Sequence, residues 1–277
     1  MNGQRIAFIG AGNMASNLIA GLINDGYDPQ KIYASSPDAL HLAQLTKQFA
    51  LHTSVDNSAV AAEADVVVLC VKPQILPEVA GELAALLAAR RPLVISIAAG
   101  VQASLIAQTL GFESAIVRCM PNIAALVRSA ATALYANEYV SPEQREVAET
   151  LMRSVGVTVW VSEESQLDVV TALSGSGPAY FFLLIEAMQE AAQTLGLSTA
   201  DASLLSLQTA LGAARLALES PESVLKLRDR VTSPGGTTER AIQTLESGSF
   251  RKLVYNAMSA AVERAQELSD GLSGGGH

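Results

Sequence analysis

Residues 5–15 read RIAFIGAGNMA, and this stretch decides the fold. Its unbroken apolar run suits a strand covered on both faces, and it ends directly in G-x-G-x-x-A at the opening of a helical pattern. Gly10 permits the tight turn, and Gly12 lets the backbone approach a pyrophosphate with no Cβ in the way. Ala15 is small enough for helix and strand to pack closely. A helix N-terminus placed there offers N–H groups to phosphate. Alone, such glycines could serve packing only. After a strand, and opening a βαβ series, they point to a dinucleotide.

Working outward, KIYAS (31–35), DVVVLCV (65–71), PLVISIA (92–98) and AIVRCM (115–120) read as further strands. Helical spacing lies between them: Leu76, Val79, Ala80, Leu83 and Leu87 share one face, as do Ala103, Ile106, Ala107 and Leu110. ATALYA (131–136) and VTVWV (157–161) extend the sheet. The expectation is an α/β chain with a Rossmann-type doubly wound sheet over residues 1–163. Beyond 163 the strand signal stops. Phe181, Leu184, Ile185, Met188, Ala192 and Leu195 form one helical stripe, and Leu204, Leu207, Leu211, Ala214 and Leu218 another. Residues 164–270 are therefore expected to be an all-α domain whose dense alanines suit close packing, within one chain or between subunits. The tail 271–277, GLSGGGH, has the composition of a flexible end.

Composition narrows the function. A chain of 277 residues that is 49% hydrophobic can bury a core, which excludes a disordered protein. With 18 Lys+Arg against 27 Asp+Glu, net charge −9 and 5% aromatics, no nucleic-acid partner is expected. Cys70 and Cys119 sit in apolar runs and read as buried free thiols, hence a reducing, cytoplasmic setting. His41, His52 and His277 lack metal-ligand spacing, so no metal is expected. The uncharged runs 6–24 and 92–112 are broken by glycines and polar residues. Neither is assigned as a signal peptide or a membrane span.

The second strand ends in ASSPD (34–38). An acidic residue at its tip would bond an adenosine ribose and repel a 2′-phosphate. Ser35 and Ser36 stand there instead, leaving room and hydroxyl donors for that phosphate. NADPH preference follows, with NADH usable. Asp38 is the acidic group that could turn inward against it.

A second constellation, VTSPGGTTERAIQTLE at 231–246, is a Pro234-Gly235-Gly236 turn with two threonines opening a helix. Backbone N–H groups and hydroxyls converging there suit a small carboxylate. A capped helix after a loop is the plain alternative. Together with CVKP (70–73), SIAAGV (96–101), RCMPN (118–122) and LSGSGPAYFFLLIEAM (173–188), in the family's order and spacing, the segment resembles the pyrroline-5-carboxylate reductases. The resemblance covers nearly the whole chain.

That resemblance implies reduction of 1-pyrroline-5-carboxylate to L-proline, the last step of proline biosynthesis. It also implies a homodimer formed through the helical domain, often assembled into a decamer. Position by position, Gly10, Ala11, Gly12, Asn13 and Met14 would bind the dinucleotide, with Ser36 and Asn57 near its 2′-phosphate. Val71, Lys72 and Pro73, with Ala98, Ala99 and Gly100, would run along the nucleotide and nicotinamide ends. Ser233, Gly235, Gly236, Thr237 and Thr238 would hold substrate, with Glu164 and Glu222 near its pocket. Thr238 would be catalytic, bonding the ring nitrogen. Ile123-Ala124 and Val224 depart from the family pattern, which usually has Thr-Pro and Pro there. Rival readings are another Rossmann imine or β-hydroxyacid reductase and a non-catalytic NADP(H) sensor. The few helical-domain lysines, Lys226 and Lys252, disfavour the first, and the intact SPGGTT disfavours the second.

Overall fold

The computed structural model describes residues 3–273 and divides into two compact units. The first runs to Ser176 and regains the chain from Ala261 on; the second is Gly177–Ala260.

The first unit is built on an eight-stranded sheet of order β3-β2-β1-β4-β5-β6-β7-β8. Its strands are β1 Ile6–Ile9, β2 Ile32–Ser35, β3 His52–Ser54, β4 Val66–Leu69, β5 Leu93–Ser96, β6 Ile116–Met120, β7 Ala130–Ala136 and β8 Gly156–Trp160. β1 to β6 are parallel, β7 runs antiparallel to β6, and β8 is parallel to β7. Helices α1 (Asn13–Asn24), α2 (Ala39–Phe49), α3 (Asn57–Ala61), α4 (Leu76–Arg90), α5 (Ala103–Leu110) and α6 (Pro142–Arg153) connect the strands. Alternate residues of β1 serve opposite faces: Ile6 and Phe8 enter one apolar cluster, Ala7 and Ile9 the other. That is why the strand reads as continuously apolar.

β3 is absent from the sequence reading. It is a three-residue edge strand, His-Thr-Ser, half-exposed and without apolar alternation. Its pairing to β2 is a tertiary event.

Helices α7 (Gln166–Val170) and α8 (Gly177–Thr194) are joined through a π-helical turn at Thr171–Gly175. Then follow α9 (Thr199–Glu219), α10 (Val224–Arg230), α11 (Thr237–Ser247) and α12 (Phe250–Ser273). Residues 271–273 of the expected tail are instead helical, as the end of α12. The other tail residues, 274–277, lie outside the described part.

Within the second unit α8 and α9 pack together, yet large apolar side chains stay uncovered: Phe181, Phe182, Leu204 and Leu211 are each more than half exposed. The helical run Gln166–Thr194 is also long and apolar enough to cross a membrane by length and composition alone.

At the β7–β8 junction a Cβ on Gly156 would stand 2.1 Å from the Ala130 carbonyl oxygen. Gly156→Ala is therefore expected to cost about 3 kcal/mol, read as a lowered urea midpoint against wild type.

Candidate active site

The loop after β1 is shaped by backbone bonds. The Ser35 carbonyl accepts the Gly10 N–H at 3.0 Å and the Ala11 N–H at 2.7 Å, and the Gly10 carbonyl accepts the Gly12 N–H at 2.8 Å. Gly10 has φ +89°, and a Cβ there would lie 2.6 Å from Val71 Cγ1. Only glycine fits. Gly12 is different: it caps α1 without a side-chain bond, and nothing lies within 4 Å of where its Cβ would stand. The chain itself has no packing use for that missing side chain. An open N-terminal turn with space before it suits a pyrophosphate.

Beside this loop a cleft of about 290 Å³ opens at the carboxyl ends of β1, β4, β5 and β6. Met14 from the first turn of α1 lines it with Val71, Lys72 and Pro73 after β4, Ala98 and Ala99 after β5, and Met120 and Pro121 at the end of β6. The sheet order reverses between β1 and β4, the switch point where such folds bind ligands. The structure thus brings together, in one cleft, residues expected at the cofactor site from three separate sequence blocks. Gly100, at φ +74°, lies close to α12: its Cβ position is 3.6 Å from the Ser269 nitrogen. Cys70 also lines the cleft; burial pushes its thiol and that of Cys119 far up, so both are held protonated.

At the end of β2, Ser35 is fully buried and its hydroxyl donates to Asn57 Oδ1 at 2.8 Å. The Ser35 hydroxyl, expected to face the phosphate, is thus enclosed and engaged by Asn57. Ser36 is partly exposed, with Oγ accepting the Asp38 N–H. The Asp38 carboxylate caps α2, accepting the Leu40 and His41 N–H groups at 3.0 Å each. It is turned into the helix N-terminus, where negative charge is stabilised.

In the second unit, Gly236 caps α11, again with no side-chain bond, and its N–H donates to the Ser233 carbonyl at 2.9 Å. A Cβ at Gly236 would approach that same oxygen to 2.9 Å. Gly235 has φ +72° and its N–H donates to Glu239 Oε2 at 2.7 Å. Ser233 and Thr237 are exposed and Thr238 half-buried, so hydroxyls cluster with the first N–H groups of α11. Glu222 accepts from Arg230 Nη1 at 2.7 Å, which raises the Arg230 pKa and braces the start of the loop.

Glu164 lies in the first unit, where Oε1 accepts from Arg118 Nη1 at 2.7 Å and the Ala103 N–H at 2.6 Å. Burial raises the pKa of nearby Asp168, with Arg118 opposing and Glu164 and Asp270 adding to the rise. Arg118, Met120 and Pro121 had no role in the sequence reading, although a lone arginine inside the apolar strand IVRCM demands a buried partner.

A glycine-shaped loop at the first βα turn, opening on a cleft at the sheet's switch point, defines an NAD(P)-dependent oxidoreductase. Residues 5–100 match the family model "NADP oxidoreductase coenzyme F420-dependent", and residues 164–268 match "Pyrroline-5-carboxylate reductase dimerisation". A pyrroline-5-carboxylate reductase of Pseudomonas aeruginosa is 49% identical over 98% of this chain and 99% of its own. One of Escherichia coli K12 is 37% identical over 96% and 98%. The solved pyrroline-5-carboxylate reductase of Coxiella burnetii superposes with TM-score 0.94 at 52% identity, covering 97% of this chain and 99% of that one. The Plasmodium falciparum pyrroline carboxylate reductase with NADP bound gives TM-score 0.85 at 30% identity over 97% and 99%. The chain belongs to the pyrroline-5-carboxylate reductase family.

The two loop glycines separate folding from binding. Gly10→Ala should lower the melting temperature, whereas Gly12→Ala should leave stability within about 0.5 kcal/mol. Gly12→Ala should also raise the coenzyme KM about tenfold or more. Thermal melts and steady-state kinetics on both variants check this.

Proposed function

We propose that this protein reduces 1-pyrroline-5-carboxylate to L-proline, the final step of proline biosynthesis. The observation that carries the reading is the intact turn Ser233–Thr238 in a chain that also bears a dinucleotide loop and cleft. Gly10 to Met14 would cradle the pyrophosphate. Val71, Lys72 and Pro73, with Ala98, Ala99 and Gly100, would line the course of the rest. When bound, the reduced nicotinamide supplies the hydride that adds to the imine carbon. The C=N π pair then resides on the ring nitrogen, which must take up or already hold a proton.

On the substrate side, the Thr237 and Thr238 N–H groups at the start of α11 and the hydroxyls of Ser233 and Thr237 hold the carboxylate, while Gly235 and Gly236 shape the turn through their own bonds to Glu239 and Ser233. Thr238 bonds the ring nitrogen. A threonine hydroxyl is too weak an acid to be ionised at neutral pH, so it positions the imine and relays a proton. Holding the ring in one orientation and managing that proton can each contribute several powers of ten. Glu222 supports the loop through Arg230.

NADPH preference, with NADH also accepted, is supported by the absence of an acidic side chain presented at the end of β2. Asp38 is engaged by α2, which leaves Ser36 and the amide of Asn57 to a 2′-phosphate. The uncovered apolar faces of α8 and α9 support a homodimer, and a decamer of such dimers is the family's further expectation. Two unpaired thiols, Cys119 buried and Cys70 only partly so, suit a reducing, cytoplasmic setting.

The test is absorbance-followed NADPH oxidation with and without 1-pyrroline-5-carboxylate. Thr238→Ala should lower kcat/KM by roughly one to three powers of ten with the melting temperature retained; wild-type kinetics would remove Thr238 from the mechanism. Leu211→Glu should yield a monomer by light scattering, and that monomer should be poorly active.

A further inference from the structure

Helix α5 begins directly after the cleft-lining loop 97–102, and its N-cap residue Gln102 offers the helix no side-chain bond. The acceptor comes from 61 residues further along the chain: Glu164 Oε1 takes the Ala103 N–H. The same oxygen takes Arg118 Nη1. The Arg118 side chain is 7% exposed and that of Glu164 24%, so this cation depends on its partner. Arg118 stands on β6, two residues before Met120, which lines the cleft as do Ala98 and Ala99. One carboxylate oxygen therefore ties the end of one cleft-lining segment to the start of another. The rest of the loop has anchors of its own, among them the Ile97 N–H, which donates to the Leu69 carbonyl at 3.1 Å. Ser96 Oγ accepts the Ala98 N–H at 3.3 Å, and Gly100 packs close to Ser269.

We propose that Glu164 is a positioning residue of the coenzyme cleft and not a ligand of the substrate. Resting on the reading of this cleft as the coenzyme site, the proposal assigns it two tasks. It caps α5 so that the 97–102 loop keeps its course, and it neutralises Arg118 so that β6 delivers Met120 and Pro121 to the cleft. Loss of its charge releases both segments, and coenzyme binding weakens before substrate binding does.

The experiment is a fluorescence titration of NADPH onto the purified full-length protein without substrate, paired with the KM for 1-pyrroline-5-carboxylate at saturating NADPH. Glu164→Gln keeps the shape and removes the charge. Ala103→Pro removes the donor instead, at a first helical position that accepts proline, after an extended Gln102. It carries the test if Glu164→Gln does not fold by thermal melt. The expected result is an NADPH Kd raised roughly five- to thirtyfold with the substrate KM within about twofold of wild type. Unchanged NADPH binding in the folded variants overturns the proposal. A raised substrate KM with coenzyme binding intact overturns it too and returns Glu164 to the substrate. No NADPH binding by the unsubstituted protein overturns the coenzyme reading of the cleft and this proposal with it, whereas missing turnover with binding intact strikes only the assigned reaction.

Discussion

Two N–H groups sharing one carbonyl hold the molecule's central turn. Gly10 and Ala11 both donate to the Ser35 oxygen, so the chain leaving β1 is locked to the end of β2 before α1 begins. Val71 stands where a Gly10 side chain would go, which joins the end of β4 to the same knot. Three strands of a parallel sheet thus deliver their carboxyl ends to one place, and the orientation of α1's first N–H groups follows from that lock. Binding a dinucleotide with backbone requires a backbone this immobile.

The charge distribution shows how an acidic chain can still offer sites suited to anions. Asp38 is used by the N-terminus of α2, Glu164 by Arg118 and α5, Glu222 by Arg230, and Glu239 by the Gly235 N–H. These carboxylates are engaged by internal donors. At both candidate anion sites the groups on offer are N–H groups and hydroxyls at a glycine-capped helix start. The overall charge of −9 therefore says little about local affinity.

The second unit poses a different packing problem. Its helices have more apolar surface than their mutual contacts cover, and the residues concerned fall on the stripes visible at helical spacing. Water-exposed leucines and phenylalanines at this density need a partner surface. The match of residues 164–268 to a dimerisation domain supplies such a surface, and Gln166–Thr194 within it also has the length and apolarity of a span.

Patterns that repeat over short distances were legible in the sequence: the strand running into GAGNMA, the strand–helix alternation, the helical second part, and the glycine turn before Thr237. They are local, because strand and helix periodicity and the demand for positive φ act within a few residues. The three-residue β3 carried no such signal, since its strand character comes from its neighbour. Likewise, the residue series could not separate the two loop glycines, one excluded from bearing a side chain by Val71 and the other facing open space. Nor could it show that Ser35 serves Asn57, or that Glu164 meets an arginine 46 residues away. Those assignments required the folded chain, because a hydroxyl or a carboxylate takes its role from whichever donor or acceptor packing brings within about 3 Å.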